Sequence, residues 1–391
     1  TLAMIDIDDF SDINDAFGHH FGDQVLQAVV HRLSDMLGLS TAMARVGADT
    51  FGVLGEHAKV CPETVSAVFG EPFVVAGERL QLSATTGLVR LGESRAIGSE
   101  LLLDAQIALK RAKQQQRGAS QYFSAAMGSD ARERFKLLKG LRAGFEENRL
   151  FVVYQPQVEL VSGRVIGAEA LLRWRHPQRG LLSPDAFIFV AERHRLMLPL
   201  GEWVLREAAV TARRWREQQL TQGHGPMRIA VNLSRMQFNL DGFADTVMRL
   251  LQEAGAQGEW LELELTERLL IDDIEHAPAT LSALRAQGLT VSVDDFGTGY
   301  TSLAHLTELP LDKLKIDQSF VGRLPDDAGA QAITRAIVQM AVGLGLTVTA
   351  EGVRTAAQWQ LLAGWGCQQF QGELVGAPMP AAEFEAWVKA R

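Results

Sequence analysis

The chain has 391 residues, 47% hydrophobic and 22% charged, a composition typical of a soluble globular protein with enough apolar material for two domains. Its formal net charge of −9 argues against a surface that wraps a DNA or RNA backbone, although a small anionic ligand bridged by metal ions remains compatible with it. The two cysteines, Cys61 and Cys367, are far apart, which argues against a disulfide framework or a zinc site and fits a reducing, cytoplasmic environment.

The first predicted strand starts at the beginning of the given sequence. No apolar run has the length of a membrane span, and no signal peptide is visible. Because the sequence opens on TLAMIDIDDF, already inside a predicted strand, we expect an N-terminally incomplete first domain. Membrane contact is therefore expected only through segments outside this sequence.

Residues 1–125 alternate strand and helix patterns and predict a small α/β or α+β domain. LAMID is an apolar strand that ends on Asp6, and residues 43–55 suggest two strands around a tight turn. Apolar residues at helical spacing predict a helix over 23–37, and residues 81–91 predict another strand. A helix over 99–116 ends in basic residues, which suits its dipole.

A polar linker and helix at 126–136 precede a second domain, 137–391. Strand and helix patterns repeat there, and eight strands with helical crossovers predict a (β/α)₈ TIM-type barrel. A doubly wound open sheet is the alternative. The predicted strands cover 151–155, 165–174, 228–234, 260–267, 289–295, 312–317, 346–351 and 367–372.

Polar residues occur near the ends of these strands, where a barrel of this type carries its catalytic groups. Any one of them is readily explained as a cap or a solvated strand end, but their number points to a shared site. They are Glu169, Asn232, Glu264, Glu267, Asp294, Asp295, Lys315, Glu351 and Gln371.

Carboxylates gathered at one barrel mouth require counter-charge. Oxygen ligands without a histidine or cysteine cluster favour Mg²⁺ or Mn²⁺ over zinc. The adjacent Asp294 and Asp295 suit two metal ions about 4 Å apart, an arrangement that cleaves phosphodiesters. Lys315 would orient or deprotonate the attacking water or stabilise phosphate charge, and a structural salt bridge is its other interpretation.

Seven motifs in order resemble the EAL-domain cyclic di-GMP phosphodiesterases. The resemblance implies a TIM-type barrel whose first strand runs against the others, and metal-dependent hydrolysis of cyclic di-GMP to linear pGpG. The motifs are EALLRW (169–174), VNLS (231–234), ELTE (264–267), DDFGTGY (294–300), KLKIDQSFV (313–321), AEGV (350–353) and QG (371–372).

The same resemblance assigns the metal ligands residue by residue. It implies two Mg²⁺ or Mn²⁺ ions per site, with Asp294 serving both. The first ion is assigned to Glu169, Asn232, Glu264 and Asp294, and the second to Asp294, Asp295 and Glu351.

Other residues take catalytic or binding roles by this resemblance. Lys315 acts on the attacking water, and Gln371 supports the groups around that water. Arg173 contacts a substrate phosphate, and Gln155 binds near a guanine. Glu267 anchors the loop after the fifth strand, and a homodimer is implied through the face that carries the 296–310 loop.

Three positions in this half depart from the family pattern. Arg354 stands where the family usually has a second glutamate after AEGV, and Gln368 and Glu373 replace an acid and an aromatic residue. We expect these changes to alter substrate affinity and charge balance without removing a metal ligand.

The first domain resembles a GGDEF diguanylate cyclase with an eroded signature. DIDDFSDINDAFGHHFGD (6–23) and IALKRAKQQQR (107–117) follow the family closely, but residues 47–51 are GADTF. Ala48 hinders close backbone approach to a nucleotide, Thr50 removes a carboxylate, and Ser11 replaces a lysine. The family's inhibitory RxxD motif is expected at 38–41, where this sequence has GLST instead.

A GTP site is nevertheless implied by the residues that remain. It consists of Asp6 and Asp49 for a metal ion, Asn14 and Asp23 for guanine, and Lys113 and Arg117 for terminal phosphates. The domain is then either a GTP-binding regulator that no longer makes cyclic di-GMP or a fold whose site residues are relics.

Three functions follow for the whole chain. The first is a cyclic di-GMP phosphodiesterase regulated by its first domain. The second is a catalytically silent cyclic di-GMP receptor, which the retained acidic residues disfavour. The third is a bifunctional synthase and hydrolase, which GADTF disfavours.

Overall fold

A computed structural model describes residues 1–38, 40–92, 98–218, 227–272, 277–298 and 303–391. The chain divides into two compact units, which are Thr1–Lys136 and Leu137–Arg391. None of the described helices is both long enough and apolar enough to cross a membrane.

Unit 1 is built on a five-stranded sheet of order β2-β3-β1-β6-β7. The central β1 is antiparallel to both β3 and β6, and β7 extends the sheet in parallel with β6. Its strands are β1 (Leu2–Ile7), β2 (Ala42–Arg45), β3 (Thr50–Leu54), β4 (Phe73–Val75), β5 (Glu78–Leu80), β6 (Ala84–Val89) and β7 (Ser120–Tyr122). Its helices are α1 (Phe10–Phe17), α2 (His19–Leu37), α3 (Pro62–Val68) and α4 (Ser99–Gln115), followed by α5 (Ala125–Glu146).

The predicted elements of this unit are confirmed. β1 is buried along its whole length, as its apolar sequence predicts, and the hairpin β2–β3 forms at residues 42–54. Helix α2 begins four residues earlier than predicted, directly after Gly18. The residues predicted as a linker are helical, since they belong to α5.

Unit 2 contains the closed barrel. Its strands are β8 (Leu150–Glu159), β9 (Val165–His176), β10 (Gly180–Leu182), β11 (Arg228–Asn232), β12 (Leu261–Thr266), β13 (Thr290–Phe296), β14 (Lys313–Ile316), β15 (Thr347–Ala350), β16 (Gln369–Gln371) and β17 (Met379–Pro380). Its helices are α6 (Ile188–Arg193), α7 (Met197–Glu217), α8 (Arg235–Phe238), α9 (Phe243–Ala254), α10 (Glu267–Asp272), α11 (Ala277–Ala286), α12 (Leu303–Glu308), α13 (Gln318–Val321), α14 (Ala328–Gly343), α15 (Ala356–Trp365) and α16 (Ala381–Lys389).

Eight of these strands close on themselves, which rules out the open-sheet alternative. The seven strands from β9 to β16, leaving out the short β10, are parallel neighbours. β8 completes the ring and is antiparallel to both β16 and β9. The first strand of the barrel therefore runs against the others, as the family resemblance implies.

Local sequence signals fix where the helices behind the barrel begin. Ser234 and Gln237 form a capping box at α8, and Thr355 and Gln358 form another at α15. The side chain of Asp327 caps α14 by accepting a hydrogen bond from the amide of Ala330. These caps place the helix starts directly after the loops that follow the strands.

The barrel interior is polar rather than filled with branched apolar side chains. Lys313 of β14 contacts Glu262 of β12 across the interior, and Gln157 of β8 donates a hydrogen bond to Gln371 of β16. Strand positions that alternate with these point outward and pack on the helices, as with the buried Leu263. These polar interior side chains lie beneath the acidic residues near the carboxyl ends of the strands.

Candidate metal and catalytic site

Seven residues predicted from separate segments of the sequence meet at the mouth of the barrel. Parallel strands bring their carboxyl ends to the same rim, so polar residues at equivalent positions become neighbours. The seven are Glu169 on β9, Asn232 on β11, Glu264 on β12, Asp294 on β13, Lys315 on β14, Glu351 after β15 and Gln371 on β16. One expectation needs correction, because Glu169 is not at a strand end: β9 continues to His176 beyond the barrel, paired with β8 and β10.

Lys315 lies at the centre of this cluster and is completely buried. Its Nζ is 2.6 Å from Glu351 Oε1 and 2.8 Å from Glu264 Oε1. It is also 3.1 Å from Asp294 Oδ1 and 3.7 Å from Glu169 Oε2. Burial lowers the pKa of Lys315, but the surrounding carboxylates outweigh it and hold the pKa well above its ordinary value.

Glu169 is held by amide groups on both of its oxygens. Asn232 Nδ2 donates to Oε1 at 2.6 Å, and Gln371 Nε2 donates to Oε2 at 2.5 Å. Gln371 is held in turn, because its Nε2 also contacts Gln155 Oε1 at 2.9 Å and its Oε1 accepts from Gln157 Nε2 at 3.0 Å. The carboxylate therefore has a fixed orientation toward the centre of the site.

Asp294 and Asp295 occupy different positions despite being adjacent. Asp295 has a left-handed backbone with φ of 54°, and the register of β13 against β14 shifts between Val293 and Phe296. Aspartate is one of the few residues that tolerates this conformation. The irregularity brings carboxylate oxygens of Asp294, Asp295 and Glu351 within 4.8 Å of one another, instead of sending Asp295 to the opposite face.

The donor set fits divalent cations. Five carboxylates (Glu169, Glu264, Asp294, Asp295 and Glu351) face one ammonium group, that of Lys315, which leaves the cluster with excess negative charge. Both oxygens of Glu264 are buried and, within the part of the chain that the structure describes, neither accepts a hydrogen bond of good geometry. Oxygen ligands crowded in this way are those that Mg²⁺ and Mn²⁺ bind.

Burial and mutual repulsion raise several pKa values in the cluster. Burial raises the pKa of Glu351 to about 8, with Asp294 and Glu169 adding to the shift and Lys315 opposing it. Burial and the charge of Asp294 raise the pKa of Asp295 to about 6. The pKa of Glu264 is also well above its ordinary value, chiefly through burial. Near neutral pH the cluster therefore retains protons that a cation would displace.

This protonation predicts that metal binding is coupled to proton release. Because Glu351 is protonated below about pH 8 and binds a cation as the carboxylate, Mn²⁺ affinity should rise between pH 6 and 8. Calorimetric titration in buffers of different ionisation enthalpy measures the protons released. We expect Mn²⁺ binding to release protons at pH 7 and to release fewer above pH 8. A Mn²⁺ affinity that does not change with pH, with no proton release, would contradict the coupling.

Glu267 is buried at the start of α10 and connects that helix to the segment after β13. Its Oε2 accepts a hydrogen bond from the amide of Gly297 at 3.1 Å. This contact is compatible with the anchoring role predicted for Glu267. The loop it would hold continues through residues 299–302, which lie outside the described residues.

Gln155 lies on β8 and Arg173 on β9, the strand that carries Glu169. Gln155 pairs in register with Glu169 across β8 and β9, and its Nε2 donates to the carbonyl of Gly376 at 3.3 Å. Arg173 lies four residues beyond Glu169 on the same strand, and its Nη1 donates to the carbonyl of Leu172. No carboxylate forms an ion pair with Arg173 in the described ranges, so its guanidinium retains donors for an anion.

The three departures from the family pattern have different settings. Gln368 is structural, because its Oε1 accepts a hydrogen bond from the amide of Val348 at 2.7 Å. Arg354 and Glu373 are both exposed and face each other, with Nε and Oε2 3.7 Å apart. They belong to the segments that follow β15 and β16, close in sequence to Glu351 and Gln371.

In unit 1 the acidic residue Asp6 is already neutralised. Its carboxylate contacts Lys113 Nζ at 2.5 Å and accepts a hydrogen bond from Thr50 Oγ1 at 2.8 Å. The hydroxyl of Thr50 also approaches Asp49 Oδ1, at 3.4 Å. The structure thus brings Asp6, Asp49 and Lys113 together, while Arg117 pairs with Asp9 instead.

The predicted guanine residues of unit 1 lie on its first two helices. Asn14 of α1 packs against Gly22 of α2, where a Cβ atom would lie 2.0 Å from Asn14 Oδ1. Asp23 lines a cavity of about 340 Å³ together with apolar side chains such as Leu26 and Phe51.

Gln157 is a site residue that the sequence analysis missed. It is buried and supports Gln371, which in turn orients Glu169. The signal was available, because Gln155 and Gln157 alternate on β8 and therefore face the same side. A glutamine in an otherwise apolar strand is usually a solvated position, and only barrel closure turns it inward.

Family models match both units. A model described as EAL domain matches residues 139–378, and a model described as diguanylate cyclase, GGDEF domain, matches residues 1–119. The first match covers more than half of the chain.

Named relatives share both units. MucR of Pseudomonas aeruginosa, a bifunctional diguanylate cyclase and cyclic di-GMP phosphodiesterase, is 38% identical over 99% of this chain and 57% of its own length. NbdA of the same organism, a cyclic di-GMP phosphodiesterase, is 37% identical over 100% of this chain and 50% of its own length. The chain thus spans about half the length of these curated relatives.

A solved structure resembles unit 2. The MucR phosphodiesterase in complex with cyclic di-GMP is 43% identical, with a TM-score of 0.61. The alignment covers 64% of this chain and 99% of that one.

Proposed function

Because the chain belongs to the EAL domain family, we propose that unit 2 hydrolyses cyclic di-GMP to linear pGpG with the help of divalent metal ions. The observation that carries the proposal is the group of four carboxylates that contact the buried Lys315, with Asp295 beside two of them. The relatives described as cyclic di-GMP phosphodiesterases, and the solved complex of one of them with this nucleotide, support the choice of substrate.

The metal ligands are proposed from the family resemblance, and the proximity of Asp294, Asp295 and Glu351 supports part of that assignment. Asp294 would serve both ions, which would be Mg²⁺ or Mn²⁺. Bound at these oxygens, the ions would supply Lewis-acid stabilisation of phosphate charge and an acidified water. The first ion would be held by Glu169, Asn232, Glu264 and Asp294, and the second by Asp294, Asp295 and Glu351.

Lys315 would hold or move a proton at the attacking water. Among the carboxylates alone it stays protonated, since its pKa is raised. Divalent charge on the same carboxylates would lower that pKa and favour proton exchange with water. Gln371 keeps Glu169 oriented, Arg173 would bind a phosphate oxygen, and Gln155 would contact a guanine edge.

We expect hydrolysis to depend strictly on Mg²⁺ or Mn²⁺. Chelation by EDTA should abolish the formation of pGpG, and either ion should restore it. Ca²⁺ should not, because it prefers more ligands at longer distances than this compact cluster offers. Chromatography of the nucleotide products measures this, and equal rates with Ca²⁺ and Mg²⁺ would contradict the assignment.

A receptor without catalysis is the second candidate. It would bind cyclic di-GMP tightly and release it intact. The complete ligand set disfavours this, because a binding module has no need for a cluster of five acids, three of them buried, and their desolvation cost. Isothermal titration combined with product analysis separates the two: saturating binding without any pGpG after prolonged incubation with Mg²⁺ would favour the receptor.

Unit 1 is proposed to regulate unit 2 by binding GTP without cyclising it. Lys113 contacts Asp6, Thr50 connects Asp6 to Asp49, and the cavity beside Asp23 is lined by both polar and apolar side chains. Thr50 supplies a hydroxyl where a catalytic carboxylate would be required. GTP titration into the whole chain should show binding and a changed hydrolysis rate. The absence of both effects would support the relic interpretation.

The active form is proposed to be a cytoplasmic homodimer formed through the segment after β13. The hydrogen bond between Glu267 and Gly297 ties that segment to α10, next to the acidic cluster. Sedimentation analysis with and without cyclic di-GMP tests the proposal, and a monomer with full activity would oppose it.

A further inference from the structure

A second charged level lies beneath the catalytic carboxylates in the barrel interior. Lys313 is two residues before Lys315 on β14, and Glu262 is two residues before Glu264 on β12, so each pair of residues faces the same side of its strand. Glu262 and Lys313 are both buried, with 1% and 6% exposure. The family resemblance assigns no role to either residue.

The two lysines pair with the two glutamates level by level. Lys313 Nζ contacts Glu262 Oε2 at 2.6 Å, while Lys315 Nζ contacts Glu264 Oε1 at 2.8 Å. The other oxygen of Glu262, Oε1, is buried and has no hydrogen-bond partner among the described residues. Lys313 is therefore the principal source of compensation for the Glu262 charge.

Loss of Lys313 would leave Glu262 as an uncompensated buried carboxylate. Such a group attracts the nearest available cation, since burial without a partner is costly. Lys315 offers such a cation, on a flexible stem from the same face of the same strand, two residues beyond Lys313. It would be drawn down, away from Asp294 and Glu351.

We propose that Lys313 is a positioning residue of the proposed phosphodiesterase, which by occupying Glu262 keeps Lys315 at the level of the metal-binding carboxylates. This inference rests on the proposed function of Lys315. It explains why a charged pair is kept in a barrel interior where apolar side chains of similar volume would pack without desolvation cost.

The test compares four variants of the whole chain: Lys313→Met, Glu262→Gln, the double variant and the conservative Lys313→Arg. With saturating Mg²⁺, Lys313→Met should lower kcat by about 10- to 100-fold with little change in KM, the range typical of residues that orient a metal-site group. Glu262→Gln should also lower kcat, because the freed Lys313 competes for Glu264. The double variant should recover to within roughly threefold of the wild type, and Lys313→Arg should retain most of kcat.

Calorimetric Mn²⁺ titration without substrate supplies a readout that a purely structural role would not produce. Lys313→Met should bind Mn²⁺ at least as tightly as the wild type, because a competing ammonium has left the ligands. Glu262→Gln should bind it more weakly, and the double variant should resemble the wild type. Parallel loss of Mn²⁺ affinity and kcat in Lys313→Met would overturn the inference, as would a double variant no better than its worse parent.

The outcomes also separate this inference from the proposed function. If the wild type yields no pGpG, the proposed function fails, and the Mn²⁺ affinities alone decide the positioning role: undiminished in Lys313→Met and weakened in Glu262→Gln. If Lys313→Met does not fold, Glu262→Gln and the double variant decide it. Wild-type kcat in either folded single variant would overturn it.

Discussion

Replacing Glu169 by glutamine is expected to lower kcat for cyclic di-GMP hydrolysis by about 10³-fold or more, the cost of losing charge stabilisation at a reacting centre. Glutamine keeps the size of the side chain but removes a carboxylate that contacts Lys315 at 3.7 Å. In the wild type, Asn232 Nδ2 and Gln371 Nε2 both donate hydrogen bonds to the Glu169 carboxylate. The glutamine variant would place its own side-chain amide beside these two donors. Initial rates of pGpG formation measure the effect.

The matched control for this change is Glu253→Gln, which alters an exposed glutamate on the outer helix α9. Glu253 pairs there with Arg206 and Arg249, and such surface pairs contribute little to stability. Its kcat should stay at the wild-type value. If Glu169→Gln remained folded and turned over substrate at the same rate as this control, the metal assignment would be wrong.

Replacing Lys315 by methionine is expected to have the second large effect, on both stability and turnover. Methionine fills a similar volume but leaves the neighbouring carboxylates without their ammonium group. Removing one partner of a buried ionic cluster typically costs about 3–5 kcal/mol of unfolding free energy. Turnover should also fall by about 10²- to 10⁴-fold, since proton transfer at the water is lost.

Added metal should rescue the stability of Lys315→Met but not its turnover. A ligand that binds only the folded state stabilises it in proportion to its occupancy, and Mn²⁺ would replace the missing positive charge. Thermal unfolding with and without Mn²⁺ should therefore show a larger metal-induced rise in Tm than in the wild type. Lys389→Met, an exposed change on α16, serves as the control, and equal metal-induced rises in both variants would count against the central role of Lys315.

Much of the site could be predicted from the sequence because barrel geometry turns a linear pattern into a cluster. Asn232 and Gln371 are the last residues of β11 and β16, Glu264 lies two residues before the end of β12, and parallel strands bring such positions to one rim. The motifs placed the ligands in order along the chain. Neither the strand pattern nor the motifs gave the distances around Lys315, which show four carboxylates in contact with one ammonium group.

Other features depend on tertiary structure that local patterns do not encode. The left-handed backbone of Asp295 depends on the register shift between β13 and β14, and no residue type signals it uniquely. Glu262 and Lys313 are buried in the barrel interior, although apolar branched residues ordinarily fill that position in such a barrel. Their charges become acceptable only when two non-adjacent strands bring them together at 2.6 Å.

Unit 1 also contains contacts that the sequence did not predict. The GADTF segment predicted a missing carboxylate, but it did not predict that the Thr50 hydroxyl would bind Asp6 or that Lys113 would neutralise it. These contacts join β1, β3 and α4, which are distant in sequence. Whether they leave room for GTP is decided by the titration proposed above.

Hydrolysis of cyclic di-GMP in H₂¹⁸O tests the central claim most directly. Mass spectrometry of the product should show linear pGpG carrying one ¹⁸O atom in its terminal phosphate, formed by the wild type with Mg²⁺ and not by Glu169→Gln. That result would establish attack of water on phosphorus at this carboxylate cluster. Recovery of intact, unlabelled cyclic di-GMP from saturated wild-type protein after prolonged incubation with Mg²⁺ would contradict it.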